Sequence, residues 1–261
     1  MSDLPSSVVE KRLTRLRWYN LAMGLLHLVQ GLVILLLANG FALPVTATFM
    51  EGPPGSGIPR LHSLFEIRIA WGVAAFLFLS ALAHWLIATP GIYEWYRQNL
   101  LRNRNYARWI EYSLSSSVMI VLIAMLTGIS DVAALGAIFG INASMILFGL
   151  LMEHYETPGH ARWISFGFGS LTGAVPWVLI GIYLWAPGVS ASPPAFVYAI
   201  FASLLGFFGI FAANMVLQYR QVGRWSDYLF GESVYVLLSL SAKSLLAWQV
   251  FASTLASSTG N

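Results

Sequence analysis

Two ionisable residues lie inside apolar stretches that give them no ordinary use. Lys243 sits in the run Leu240, Ser241, Ala242, Lys243, Ser244, Leu245, Leu246, too deep to snorkel comfortably to either end of its segment. A charged side chain at that depth costs about 2.5–3.5 kcal/mol on insertion scales, so its default reading is functional, with a partner to be named. Two chemistries fit. A buried amine in its neutral form condenses with an aldehyde to give a Schiff base, or the lysine forms a buried pair with a carboxylate, for structure or for ion translocation.

A partner is available in the run Arg108, Trp109, Ile110, Glu111, Tyr112, Ser113, Leu114, Ser115, Ser116, Ser117, Val118, Met119. Glu111 with Ser115 at i+4 and Met119 at i+8 forms a stripe on one helical face. Arg108 at i−3 lies on nearly the same face and can snorkel outward while supporting the carboxylate. A carboxylate, a hydroxyl and then a flexible apolar side chain suit a charged headgroup joined to a hydrophobic ligand. The plainer alternative is an interfacial carboxylate with serines bonded to helix carbonyls.

The elements that must bring these residues together are membrane helices. The chain has 261 residues, 57% of them hydrophobic, with 14 basic and 11 acidic side chains and a mean hydropathy of +0.70. Soluble domains carry about 25% charged residues, so this composition predicts an all-α membrane protein, 1–261, as one multi-pass domain in the cell membrane and the lipid bilayer. Seven apolar segments are expected, at approximately 14–39, 63–89, 105–128, 131–154, 160–186, 194–219 and 227–256, each near the 20 residues a span needs. Turn formers divide them: Pro53, Pro54, Gly55 and Gly57, then Pro90 and Gly91, Pro158 and Gly159, and Pro187 with Pro193 and Pro194. The long first loop, about 42–62, contains the β-prone run Val45 to Phe49 and could form a short hairpin. The tail from Ser253 to Asn261 reads as a frayed polar end. The first segment has no small-residue cleavage site and reads as a retained helix rather than a signal peptide.

Charge sets the orientation. Lys11, Arg12, Arg15, Arg17, Arg97, Arg102, Arg104, Arg108, Arg162, Arg220 and Arg224 fall on one side of the alternating bundle, against Arg60 and Arg68 on the other. The positive-inside rule then predicts a cytoplasmic N-terminus and an extracellular C-terminus. It also explains a pI near 9.3 without nucleic acid as a partner. Zero cysteines exclude disulfides, iron–sulfur clusters and thiolate zinc sites.

Seven helices, a lysine in Ser-Ala-Lys within the seventh, and Arg-x-x-Glu followed by hydroxyls in the third resemble the microbial-type rhodopsins. The inward N-terminus, the long first extracellular loop and the run Glu111 to Ser117 resemble, within that superfamily, the heliorhodopsins, over essentially the whole chain. The resemblance implies a light-sensing photoreceptor, not an enzyme, that holds all-trans retinal covalently on Lys243, with Glu111 as counterion of the protonated Schiff base. Light would isomerise the retinal to 13-cis and drive a slow photocycle suited to signalling through a cytoplasmic partner. Ser239 stands where ordinary pumps carry a carboxylate one turn before the lysine, and Leu122 stands where proton pumps carry a donor. Both departures argue against pumping. In the sixth segment Phe208, Phe211, Ala212 and Met215 replace the Trp, Tyr, Pro and Trp that enclose retinal in pumps, which puts the expected hinge there in doubt. A light-driven or light-gated ion transporter is the alternative; a chromophore-free transporter with a buried Lys243–Glu111 pair is a second.

In the same reading His27, His84 and Asn105, with Arg108, line a polar cavity that takes up the proton released on illumination. Core histidines bonded to a neighbouring helix are the plainer alternative, and two histidines without a third ligand make a poor metal site. Tyr112, Asn142, Met145, Ile146 and Trp248 are further pocket candidates, although such residues at helical spacing often only pack. Trp18, Tyr19, Trp95, Tyr96 and Trp225 read as interfacial anchors. Gly136 with Gly140, and Gly169 with Gly173, are GxxxG pairs in the fourth and fifth segments. They serve packing within the chain or the homodimer that the resemblance suggests.

Overall fold

The computed structural model describes residues 5–56, 60–185 and 192–258; Gly57 and Pro187, expected at turns, lie outside them, as do the last three residues of the tail. Seven described helices are long and apolar enough to span a bilayer, as befits a multi-pass membrane protein. They are α1 (Ser6–Leu36), α2 (Ile69–Leu86), α4 (Tyr106–Leu126), α5 (Val132–Tyr155), α6 (Ile164–Leu184), α7 (Ala195–Tyr219) and α8 (Tyr228–Ser258). A short helix, α3 (Pro90–Leu101), joins α2 to α4, and a 3-10 turn, Gly223–Ser226, joins α7 to α8.

Local chemistry sets several boundaries. Asn105 caps α4 by accepting from the Arg108 amide at 3.1 Å, and Asp131 caps α5 through the amides of Ala133 and Ala134. Pro90 occupies the first turn of α3, where its missing N–H is not needed. Gly128, at φ +98, ends α4 in the left-handed conformation that glycine adopts without strain.

The first loop forms the expected hairpin. Strand β1 (Ala42–Thr48) pairs antiparallel with β2 (Leu61–Arg68), in a register from Ala42 opposite Arg68 to Thr48 opposite Leu61, with an irregularity between Val45 and Thr46. Residues 63–68, expected to open the second span, are therefore strand, because their backbone groups pair with β1. Val45, Thr46 and Ala47 are buried, and Thr46 is tied to Ser130 by its amide, 2.8 Å from the carbonyl oxygen, and by a 2.9 Å hydroxyl contact. The hairpin thus closes one end of the bundle over a core that includes Met119, Ile120, Leu122 and Ile123.

Helix α1 starts well before residue 14 because Val9, Leu13 and Leu16 continue its apolar stripe and pack with Tyr96 and Leu100 of α3. Tyr96 is consequently core, only 2% exposed, and not an interfacial anchor, whereas Trp18 and Trp95 are exposed. The helices pack in sequence, α1 on α2, α2 on α4, α4 on α5, α5 on α6 and α7 on α8, with α8 returning to α1. Between α6 and α7, aromatic edges make the contact: Trp177 meets Phe201 and Phe208, and Trp185 meets Tyr198 and Phe201.

Candidate functional site

Helices α4 and α8 bring the two intramembrane charges together. Lys243 Nζ donates to Glu111 Oε1 at 2.8 Å and to Ser239 Oγ, one turn earlier on α8, at 2.9 Å. Ser80 of α2 donates to the same Glu111 oxygen at 2.6 Å, and the Tyr112 ring lies 5.0 Å from Nζ. Both members of the pair are nearly sealed from solvent. A buried carboxylate facing a buried amine, with hydroxyls on either side, satisfies the requirement that buried charges be paired and hydrogen-bonded.

Lys243 also forms part of the wall of a cavity of about 550 Å³ bounded by α4 to α8. Of the expected pocket residues, Tyr112, Ser115, Met119, Met145, Ile146, Phe208, Phe211 and Ser239 line it, together with Ala212 and Met215. Trp177, Phe166, Trp109, Tyr235 and Phe201 add aromatic side chains to the wall, and Lys243 is the one charged residue in the described wall. Trp248 does not belong to it: its side chain is 42% exposed and packs edge-on against Phe251. Asn142 lies behind the wall, where its amide donates to Ser116 and Ser117 at 2.9 and 3.0 Å and ties α5 to α4. Those two serines in turn donate to the carbonyls of Tyr112 and Ser113, whereas the buried Ser115 hydroxyl has no hydrogen-bond partner among the described residues.

The proline absent from α7 has a counterpart in α6, where Pro176 lies inside the helix beside Trp177. Close helix approach on this side comes from glycine: a Cβ on Gly173 would collide with the Met145 thioether, and one on Gly169 would press on Phe148. The second GxxxG pair is therefore taken up within the chain, against α5. Gly136 and Gly140 face open space.

On the side of Glu111 away from the hairpin the polar groups form two sets. His84 Nδ1 bonds Asn20 Oδ1 at 2.7 Å, and with Asn20, Tyr96, Asn105, Arg108 and Glu111 it lines a small cavity of about 30 Å³. His27 stacks on His84 with ring centroids 5.6 Å apart. It is fully buried, and neither of its nitrogens has a hydrogen-bond partner among the described residues, so a bond to a neighbouring helix does not explain it. The second set is ionic. Arg108, expected to snorkel outward and support Glu111, is instead 7% exposed and bonds Glu153 of α5, at 2.8 Å, and Glu232 of α8. Asn105 joins this set, donating through its amide nitrogen to Glu232 at 2.6 Å and through its backbone to Glu153 at 2.8 Å. Among the described residues no group of three or more potential ligands is placed to hold a metal ion.

The family model for heliorhodopsin matches residues 16–255. The chain belongs to the heliorhodopsin family. The crystal structure of a thermophilic rhodopsin is similar in fold, with a TM-score of 0.53 at 14% identity, over 94% of this chain and 92% of that chain. No curated protein matches the sequence.

For this heliorhodopsin-family chain, Glu153 and Glu232 are the site residues that sequence reasoning missed. Both sit close to the ends of their helices and read as boundary charges. The available signal was their number: two acids inside the ends of apolar segments, with one arginine at a matching depth in a third. Trp177 and Phe201 were missed because an aromatic at helical spacing carries no mark of the face it occupies until the helices are placed.

Proposed function

We propose that the chain is a light-sensing photoreceptor that carries all-trans retinal covalently on Lys243. The observation that supports this most directly is a lone lysine in the wall of an otherwise uncharged, aromatic-rich cavity, with its amine 2.8 Å from a single carboxylate. The donor set suits an aldehyde on a long apolar tail, which needs one amine and a dry enclosure. Retinal, when bound, supplies visible absorption and the all-trans to 13-cis isomerisation.

The chain's own residues have separate tasks in this reading. Glu111 balances the positive charge at Lys243 Nζ, and Ser80 and Ser239 orient the pair. The apolar wall excludes water, so the charge at Nζ depends strongly on Glu111. Among the described residues Met119, Ile120, Leu122 and Ile123 make the hairpin end of the core apolar, while His84, hydrogen-bonded to Asn20, and Asn105 provide polar groups towards the other end. That asymmetry favours a slow, signalling photocycle without pumping, with the α3 end cytoplasmic and a signalling partner there. The polar groups running from Glu111 to Arg108 favour, as a second reading, light-gated or light-driven ion transport. The open Gly136–Gly140 face of α5 supports a homodimer through that helix.

The test is a visible spectrum of the purified protein expressed with all-trans retinal, beside Lys243→Ala prepared identically. A visible band that vanishes in the variant is expected. A folded, colourless wild type would sink the reading and leave Lys243 and Glu111 as a buried pair in a transporter. Photocurrents from illuminated membranes separate signalling, with no current, from transport.

A further inference from the structure

The charge count of the Arg108 cluster does not balance. One guanidinium faces two carboxylates, those of Glu153 and Glu232, and all three side chains are at most 5% exposed. An uncompensated ionised carboxylate in such a place is far more costly than a neutral one, and a proton on one of the two acids removes the excess charge. Hydrogen bonding decides which acid holds it. Glu153 accepts four donors: Arg108 Nη2 at 2.8 Å and the Tyr228 hydroxyl at 2.9 Å on one oxygen, and Trp109 Nε1 at 2.6 Å and the Asn105 amide at 2.8 Å on the other. Four donors stabilise the anion and leave little room for an acid proton. Among the described residues Glu232 accepts from two groups, Arg108 Nη1 and the Asn105 side chain.

We propose that Glu232 is a second proton-binding site of the bundle, neutral at rest and able to exchange its proton with the small polar cavity that reaches Glu111. The groups around it are Arg108, Asn105 and Tyr112 from α4, Glu153 from α5, Tyr96 from α3, and Tyr228 and Tyr235 on its own helix. Arg108 and Asn105 belong both to the cluster and to the wall of the 30 Å³ cavity, whose other residues include Glu111 and His84. A volume of that order accommodates one water, the minimum for a proton relay between polar walls. The site lies away from Lys243 and needs no chromophore to be occupied.

The experiment is an infrared spectrum of the protein in lipid nanodiscs, in the dark at neutral pH, in H₂O and D₂O, for wild type, Glu232→Gln and Glu153→Gln. A protonated-carboxyl C=O band that shifts in D₂O is expected in wild type and absent in Glu232→Gln. Thermal unfolding of the same samples locates the proton. Glutamine copies the shape of a neutral glutamic acid but aims an NH₂ group at the donors around an anion. Glu232→Gln is therefore expected to leave the midpoint nearly unchanged, and Glu153→Gln to lower it by roughly 5 °C or more. A wild type without the band, a band that survives Glu232→Gln, or a Glu232→Gln protein as unstable as Glu153→Gln or unable to fold overturns the proposal. The readouts are taken without light, so failure of the retinal reading, seen in the visible spectrum, leaves this result standing on its own.

Discussion

Arg108 and Glu111 are three residues apart on α4, yet the guanidinium bonds Glu153 and Glu232 while the carboxylate bonds Lys243. The bundle therefore holds two separate ionic sites on one helix. Their variants should behave differently. Arg108→Met leaves two buried acids without a cation and is expected to cost about 3–5 kcal/mol of stability, measured by thermal or denaturant unfolding, while the visible band stays close to that of wild type. A large spectral change without loss of stability would contradict this separation.

Glu111→Gln should do the opposite. The proposed charge at Lys243 Nζ loses the carboxylate that Ser80 helps to orient, and the described cavity wall holds no other charged side chain to replace it. The expected outcome is loss of the visible band at neutral pH, with partial return on acidification or on addition of a small anion such as chloride. Absorption spectra across a pH series check it, and an unchanged band would mean that Glu111 is not the balancing charge.

Gly173 tests the enclosure. A Cβ there would strike the Met145 thioether, so Gly173→Ala is expected to lower stability by about 1–3 kcal/mol through overpacking and to slow the gain of colour when retinal is added to the chromophore-free protein. Gly136→Ala, whose Cβ would meet nothing within 4 Å, should leave unfolding of the monomer unchanged. Shortening Met145 to alanine in the Gly173→Ala background should recover part of the loss.

Helix α3 carries a pH signature outside the spans. Hydrogen bonds from Arg97 and then Gln98 hold the Glu94 carboxyl below its ordinary value, and Arg97 also bonds Glu10 of α1 at 2.7 Å. A depressed carboxylate stabilises the folded form above its unfolded-state titration and loses that effect as pH falls through the folded value. Hydrogen exchange of the α3 amides, corrected for intrinsic rates, should therefore quicken below about pH 4.5. In Glu94→Gln that acid-side step should be smaller.

Much of this architecture is legible in the sequence because bilayer spans are written in long apolar runs, and Lys243 and Glu111 are conspicuous inside them. The hairpin was legible from Val45 to Phe49, but its second strand was not, since Leu64, Phe65 and Ile67 suit a helix equally well until β1 supplies partners for their backbone. Helix α3 was hidden by its polarity; the signal was Pro90 at a helix start and the spacing of Tyr93, Tyr96 and Leu100. The direction of Arg108 depends on where α5 and α8 place their acids, which no local pattern encodes. Trp248 failed for the same reason, since its face of α8 is fixed only by the neighbours of that helix.

The seat of the hairpin imposes an order on biosynthesis. Its strands lie between the first and second spans, but Thr46 binds Ser130, 84 residues further on. During insertion the strands emerge early with Val45 and Ala47 uncovered, and they stay so until α4 and α5 have entered the bilayer and delivered the turn between them. A chain arrested before that point presents an unseated β-edge to quality-control proteases and to other nascent copies. The seal over this end of the bundle thus doubles as a record that at least four spans have been inserted in the correct sense.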